Sequence, residues 1–152
     1  MLQFELEGRR VLDLFSGSGQ MALEALSRGA SSAVMCDKSK DAVGIIQKNA
    51  EKTRLQELCT ILNCDYADCL DRMARMGQTF DLVFLDPPYA SEMLVKALQL
   101  LAKSQLLKPT SKVICESGAG DFSIPEGYEI IKQNKYGIAY VTVLAPKKEE
   151  TE

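Results

Sequence analysis

The sequence predicts an α/β fold in which a mostly parallel sheet carries helices on both faces. Short apolar segments alternate with longer amphipathic segments along most of the 152 residues, which is the order of repeated βαβ units. A glycine-rich turn over residues 16–19 joins the first apolar segment to the first amphipathic one. The last two apolar segments have no helical segment between them, so the sheet should end in an antiparallel hairpin.

The predicted elements follow one another in a single series. Gly29 is placed to end the first helix, Ser39 and Ser91 to cap later helices, and Gly137 to form the hairpin turn. The predicted strands cover residues 9–15, 31–37, 59–65, 80–86, 111–117, 128–137 and 138–146. The predicted helices cover residues 20–29, 40–54, 66–77 and 91–107.

Composition indicates one ordinary globular domain. Hydrophobic residues make up 46% and charged residues 26% of the chain, which suits a single core. We expect a domain over residues 1–146 and a charged, disordered tail over 147–152. No apolar run approaches the roughly 20 residues that cross a bilayer, and the start lacks the apolar part of a signal peptide. We therefore expect a cytoplasmic protein with no membrane contact, and we favour a monomer.

The residues that are missing limit the chemistry. The chain has no histidine, which removes the Ser-His and Cys-His arrangements and the commonest general base. Any reaction must use carboxylates, lysine, tyrosine, backbone groups or a cofactor that is already reactive. The spacing of Cys59, Cys64 and Cys69 is wider than that of zinc sites, and we expect no metal.

The stretch DLFSGSGQMA, residues 13–22, is the first candidate binding site. Gly17, Gly19 and Ala22 fit the pattern G-x-G-x-x-[GA] at a strand-to-helix junction, where a ligand can approach backbone N–H groups closely. Asp37 follows 20 positions after Gly17, where an acid can accept hydrogen bonds from ribose hydroxyls. NAD and S-adenosylmethionine (SAM) both fit this pattern.

Asp13 favours SAM over NAD. A carboxylate before the glycines would repel a pyrophosphate, whereas it can pair with the amino group and sulfonium of SAM. The N-terminus of the following helix can bind the carboxylate of SAM. The alternative is that Asp13 only forms hydrogen bonds within the glycine loop.

A second acid lies in NCDYAD, residues 63–68. Asp65 ends the third predicted strand, where its carboxylate can accept from an adenine amine and the Tyr66 N–H can reach a ring nitrogen. Capping of the next helix by Asp65 explains the residue equally well.

The stretch FDLVFLDPPYA, residues 80–90, carries the candidate catalytic residues. Open α/β sheets bind ligands at the carboxyl ends of their strands, so this strand should lie beside the first. Asp86 and the carbonyl of Pro87 can hold the two hydrogens of an –NH₂ group, Pro88 stiffens the loop, and Tyr89 can stack on the ring. Positioning of this kind can supply most of the catalysis when the methyl donor is already activated. A rigid strand-ending turn is the alternative.

Together these motifs resemble a known family. The pattern D-x-F-x-G-x-G followed by [DN]-P-P-[YFW] is the signature of SAM-dependent amino-methyltransferases. More closely, VLDLFSGSGQMALEALSRGA, DLVFLDPPYA and KYGIAYVTVL are similar to the bacterial 16S rRNA (guanine-N2)-methyltransferase family of the RsmD type, over about residues 8–145. The resemblance implies a Rossmann-like class I SAM-dependent methyltransferase fold with seven strands, and 16S rRNA or the assembling small ribosomal subunit as partner.

The resemblance also implies the site. The candidate cofactor-binding residues are Asp13, Phe15, Ser16, Gly17, Ser18, Gly19, Asp37, Lys38, Asp65 and Tyr66. The candidate catalytic residues are Asp86, Pro87, Pro88 and Tyr89. Members usually carry a basic segment before the first strand, where this sequence has about eight residues. The candidates for RNA contact are Arg9, Arg10, Arg28, Lys132, Lys135 and Tyr136, and we expect Met21 to belong to the core.

Three other functions fit parts of the pattern. DNA adenine-N6 methyltransferases generally need an extra target-recognition region, for which 152 residues leave no room. Protein-glutamine methyltransferases usually have asparagine at the position of Asp86. A non-catalytic SAM- or RNA-binding adaptor is disfavoured by the intact motif at residues 86–89.

Overall fold

The computed structural model describes residues 5–87, 91–117 and 123–148. The strands are β1 Arg10–Asp13, β2 Ser32–Asp37, β3 Cys59–Asn63, β4 Phe80–Leu85, β5 Leu107–Ser117, β6 Tyr128–Tyr136 and β7 Ala139–Pro146. The helices are α1 Gln20–Ser27, α2 Lys40–Lys52, α3 Tyr66–Arg75 and α4 Ser91–Lys103, with a 3₁₀ turn at Gln56–Leu58.

The described strands form one sheet in the order β3-β2-β1-β4-β5-β7-β6. Strands β1 to β5 run parallel, β7 runs antiparallel to β5, and β6 pairs antiparallel with β7. The mostly parallel sheet with a terminal antiparallel hairpin is therefore confirmed, as is the position of β4 beside β1. Because the chain order reverses on either side of β1, a ligand crevice is expected at the carboxyl ends of β1 and β4.

The core lies on both faces of this sheet. Successive residues of a strand point to opposite faces, so Val11 packs with α1 and α2 while Leu12 packs with α3 and α4. Phe84 and Leu85 divide between the same two clusters. Burial on both faces explains the near-continuous apolar runs of the central strands and confirms that helices cover both sides.

The connection between α4 and β5 differs from the prediction. Helix α4 ends at Lys103 rather than at residue 107, because Gln105 has a φ of 57°, a left-handed conformation that a right-handed helix cannot contain. Strand β5 begins at Leu107 rather than at residue 111. The early part of β5 is irregular, since its register with β4 shifts between Phe80 and Leu82; such irregular strand ends tolerate a proline, here Pro109.

Most other boundaries lie within two residues of the predicted ones. Ser39 caps α2 by accepting from the Ala42 N–H at 3.2 Å, and Gly137 forms the hairpin turn with a φ of 62°. The predicted cap at Ser91 rests on a side chain outside the described part. At the predicted tail, the Lys147 N–H donates to the Gly127 carbonyl at 2.8 Å, and residues 149–152 lie outside the described ranges. Within the described part of the chain, every helix is too short or too polar to cross a membrane.

Candidate active site

The carboxyl ends of β1 to β4 open into a cavity of about 580 Å³. Small-molecule and cofactor sites usually measure about 300 to 1,000 Å³. The lining residues are Asp13, Leu14, Phe15, Ser16, Gly17, Ser18, Gln20, Met21, Asp37, Lys38, Cys64, Asp65, Tyr66, Phe84, Asp86 and Met93. The cavity therefore occupies the crevice that the strand order predicts.

The glycine loop between β1 and α1 is held from two sides. The Ser16 N–H donates to the Cys36 carbonyl of β2 at 3.1 Å, and the Gly19 N–H donates back to the Ser16 carbonyl at 2.7 Å. From α2, the Asn49 side-chain amide donates to the Ser18 carbonyl at 2.9 Å. No side chain caps the N-terminus of α1, and its first turn carries no acid, so this helix end is suited to an anionic group.

The two loop glycines have different surroundings. Gly17 and Gly19 have φ angles of 56° and 80°, which favour glycine. A Cβ added at Gly19 would lie 3.2 Å from Cγ2 of Ile46, whereas one added at Gly17 would meet no atom within 4 Å. Gly17 lines the cavity and Gly19 does not. Gly19 therefore allows α1 to pack closely against α2.

This difference predicts opposite effects for two matched substitutions. Gly17→Ala and Gly19→Ala each add a side chain in a left-handed conformation, which costs about 1–2 kcal/mol. We expect Gly19→Ala to lower thermal stability more, because its Cβ also crowds Ile46. We expect Gly17→Ala to weaken ligand binding more, because Gly17 lines the cavity and the added methyl group occupies open space there. Thermal denaturation measures the stability of both variants, and calorimetric titration measures their ligand affinity. If the same variant were the more impaired in both assays, the prediction would be wrong.

Asp37, at the end of β2, binds the backbone of both neighbouring loops. One carboxylate oxygen accepts from the Gly17 N–H at 3.0 Å and the other from the Ser39 N–H at 2.9 Å. The Asn63 side-chain amide donates to the carbonyls of Asp37 and Lys38, both at 3.1 Å. These bonds fix the acid at the cavity wall.

Asp13 is an acid inside the protein. It is 3% exposed at the end of β1, and its Oδ1 accepts from the Phe15 N–H at 3.3 Å. Burial raises its pKa from 3.8 to about 7, and the negative charges of Asp86 and Asp37 add to the effect. The hydrogen bond within the loop is thus present, and the high pKa shows that it compensates only part of the cost of burying the charge.

Residues that follow β1 and β3 form another part of the cavity lining. Phe15 and Tyr66 form one wall, with ring centroids 5.3 Å apart and planes inclined by 41°. Asp65 caps α3, because its Oδ1 accepts from the Asp68 N–H at 2.9 Å. The capping role is therefore present, and Asp65 also lines the cavity.

Asp86 follows β4 and is exposed to solvent at the cavity. Partial burial of its carboxyl group raises its pKa, and the negative charge of Glu116 on β5 raises it further. Pro87 is half-buried and is not among the lining residues. Pro88 and Tyr89 lie outside the described residues.

Comparison with known proteins gives the family. A family model described as "Conserved hypothetical protein 95" matches residues 1–145. The chain belongs to this family. It is 29% identical over 140 residues to the putative rRNA methyltransferase YlbH of Bacillus subtilis, covering 90% of this chain and 76% of that protein. It is 31% identical over 129 residues to ribosomal RNA small subunit methyltransferase D of Haemophilus influenzae, covering 84% and 66%. The resemblance to the RsmD type is confirmed.

Solved structures show the same fold. A conserved hypothetical protein of Streptococcus pyogenes is 40% identical, with a TM-score of 0.82 over 93% of this chain and 88% of that one. SMU.776, a putative methyltransferase complexed with S-adenosylhomocysteine, is 15% identical, with a TM-score of 0.79 over 92% of this chain and 46% of that one. The Rossmann-like class I SAM-dependent methyltransferase fold is confirmed.

The structure of this family member brings most of the predicted site together. Of the ten candidate cofactor-binding residues, all but Gly19 line the cavity, and Asp86 joins them. The arginine candidates for RNA contact lie elsewhere. Arg10 begins β1, at the amino ends of the strands and away from the cavity. Its guanidinium lies 5.1 Å from the centre of the Phe80 ring. Arg28, past the far end of α1, pairs with Glu24 at 2.9 Å.

Several site residues were not predicted. Met21 was expected in the core, but it is 37% exposed and lines the cavity with Met93, because an amphipathic pattern does not distinguish a ligand-facing apolar residue from a core residue. Asn49 and Asn63 support the loops through contacts distant in sequence. Of the three evenly spaced cysteines, Cys59 donates to the Leu55 carbonyl, and no group of three or more metal-ligating side chains occurs among the described residues.

Proposed function

We propose that this protein is a SAM-dependent methyltransferase that modifies an exocyclic amine of rRNA, the N2 amine of a guanine in 16S rRNA. The observation that carries the proposal is the position of Asp86, which opens into the same cavity as the glycine loop, Asp13 and Asp37. Relatives named as rRNA methyltransferases support RNA as the substrate.

The residues of the cavity fit SAM. The rings of Phe15 and Tyr66, which contact each other, offer a planar adenine an apolar surface at the cavity wall, and Asp37 offers acceptors for ribose hydroxyls. The uncapped end of α1 suits a carboxylate, and Asp13 suits a cationic amino group or sulfonium. SAM, when bound, supplies a methyl group on a positively charged sulfur.

Asp13 is the residue that most favours a cationic ligand. Burial raises the pKa of its carboxyl group to about 7, so the ionised form is disfavoured relative to that of an exposed acid. A positive charge beside it lowers that pKa and stabilises the ionised form. Part of the cost of burying this acid is thereby recovered on binding, which selects for a cation at this position.

In this proposal Asp86 positions the substrate amine and can accept the proton that the amine releases. Its carboxylate and the carbonyl of Pro87 accept from the two hydrogens of the amine, which directs the nitrogen lone pair toward the methyl group. As nitrogen forms its new bond to carbon and the carbon–sulfur bond breaks, the nitrogen becomes acidic and releases one proton. Asp86, whose pKa is raised, or water takes that proton. No histidine is needed.

The target base must leave its helix or stack to reach Asp86, because its amine otherwise lies among neighbouring bases. The solvent exposure of Asp86 at the cavity suits entry of a flipped base from outside.

The test combines cofactor binding with product analysis. The chain is titrated with SAM and NAD by calorimetry, then incubated with SAM and small ribosomal subunits from cells that lack its gene. We expect SAM binding and N2-methylguanosine in the 16S rRNA by mass spectrometry of nucleosides. In parallel incubations with DNA and with protein, N6-methyladenine or methylglutamine without methylated rRNA would change the substrate. SAM binding without transfer would indicate an adaptor, and binding of NAD alone would refute the cofactor.

A further inference from the structure

The tip of the β6–β7 hairpin lies on the same side of the sheet as Asp86, at the carboxyl ends of the parallel strands. Here the hairpin tip means residues 135–138. Strand β5 ends at Ser117, which pairs with Tyr140, and Tyr136 pairs with Ala139. Since β5 runs parallel to β4, the turn projects beyond the strand ends on the cavity side.

The hairpin tip exposes apolar and aromatic surface. Ile138 is 91% exposed and Tyr136 54% exposed. Lys135 is exposed, with its Nζ 5.6 Å from the centre of the Tyr140 ring. Gly137 takes the left-handed position of this two-residue turn, so the backbone itself does not require an exposed isoleucine beside it. The turn therefore carries side chains suited to a contact rather than to solvent.

The sheet sets the separation between the hairpin tip and the candidate active site. Strands β5 and β7 lie between β4 and β6, and neighbouring strands are about 4.8 Å apart, so β6 lies about 14 Å from β4. The hydrogen bonds of the sheet make this spacing rigid. It suits nucleotides close in sequence to a base held at Asp86.

The sign of the charge differs between the candidate active site and the hairpin tip. Asp86 and Glu116 are close enough for the negative charge of Glu116 to raise the pKa of Asp86. These acids repel phosphate groups, whereas Lys135 at the hairpin tip attracts them. The RNA backbone is therefore favoured on the hairpin side, with only the target base entering the acidic cavity.

We propose that the hairpin tip binds the nucleotides that flank the target base. Tyr136 stacks on an unstacked neighbouring base, Ile138 packs beside it, and Lys135 pairs with a phosphate. Single-stranded RNA is commonly bound by stacking on aromatic side chains and by cations along the backbone. The inference rests on the proposed function and specifies which residues bind the RNA around the target base.

The experiment compares three variants of the full chain on undermethylated small ribosomal subunits. Tyr136→Leu keeps an apolar side chain but removes the aromatic face, and Tyr136→Phe retains that face. Stacking contributes about 1–3 kcal/mol per base, so we expect Tyr136→Leu to raise KM for the subunit about 5- to 160-fold and Tyr136→Phe to stay near wild type. The value of kcat and the affinity for SAM should not change. Ile131→Ser, on the same strand and 50% exposed, is the control.

Lys135→Gln separates the charge from the stacking. A lost phosphate contact reduces the magnitude of the slope of log affinity against log salt concentration by about 1. We expect that reduction for Lys135→Gln and an unchanged slope for Tyr136→Leu, measured by binding to the same subunits.

The outcomes distinguish this inference from the proposed function. If wild type methylates the subunit and Tyr136→Leu has the wild-type KM, the inference is wrong and the function stands. An equal effect of Ile131→Ser, or a change in kcat alone, also overturns it. If wild type transfers no methyl group to RNA, the proposed function fails; the hairpin tip is then judged by subunit binding, and equal binding by wild type and Tyr136→Leu overturns the inference. Thermal denaturation confirms that each variant is folded.

Discussion

Asp86→Asn is expected to reduce methyl transfer by about 100- to 10,000-fold, the range typical of a lost acid–base group. An asparagine can turn one oxygen toward the amine, but its neutral amide accepts more weakly and leaves the released proton to water. Asp86 is exposed at the cavity rather than buried, so the substitution should leave the fold and the affinity for SAM near wild type. Single-turnover transfer rates with saturating SAM measure the effect, and a variant retaining more than a tenth of the rate would contradict it.

Glu116→Gln is the matched control for Asp86. It removes an acid on the adjacent strand that does not line the cavity. Because the charge of Glu116 raises the pKa of Asp86, its removal lowers that pKa. Asp86 must be ionised to hold the amine, so activity rises with pH through its pKa. We expect Glu116→Gln to move this rise to lower pH while the maximal rate stays near wild type; an unmoved profile would exclude Asp86 as the titrating group.

The sequence was sufficient for the fold where physical rules are local or topological. Strands buried on both faces give continuous apolar runs, and their alternation with amphipathic segments implies a parallel sheet. The rule that ligands bind at the carboxyl ends of the strands places Asp13, Asp37 and Asp86 around one crevice. The end of α4 was missed because Gln105 takes a left-handed conformation that no glycine signals.

What the sequence does not reveal concerns direction and distance. Arg10 is close to Asp13 in sequence, yet the two residues lie at opposite ends of β1. Only Asp13 is at the carboxyl end, where the cavity lies. The supporting bonds from Asn49 and Asn63 join positions 25 to 31 residues apart, which a sequence pattern of local spacing does not reveal. Asp65 both caps α3 and lines the cavity, so the two predicted roles were compatible rather than competing.

Asp13→Asn is expected to stabilise the protein and weaken SAM binding. Because burial raises the pKa of Asp13 from 3.8 to about 7, ionisation opposes folding. The contribution is favourable at low pH and is lost as pH rises from about 4 through 7. Asparagine carries no charge, so the variant should be more stable above pH 7, by at most about 4 kcal/mol. The need to satisfy its buried amide group lowers this gain.

The same substitution tests the role of Asp13 in the cavity. Wild-type affinity for SAM should rise with pH through 7, because the ionised carboxylate pairs with the cationic ligand, whereas the variant should lack that rise and bind about 10- to 100-fold more weakly at pH 8. Asp41→Asn is the control, since that acid is exposed in the first turn of α2 and does not line the cavity. Chemical denaturation and calorimetry across pH 5–9 measure both effects. A stabilised variant with wild-type affinity would mean that Asp13 serves the loop alone.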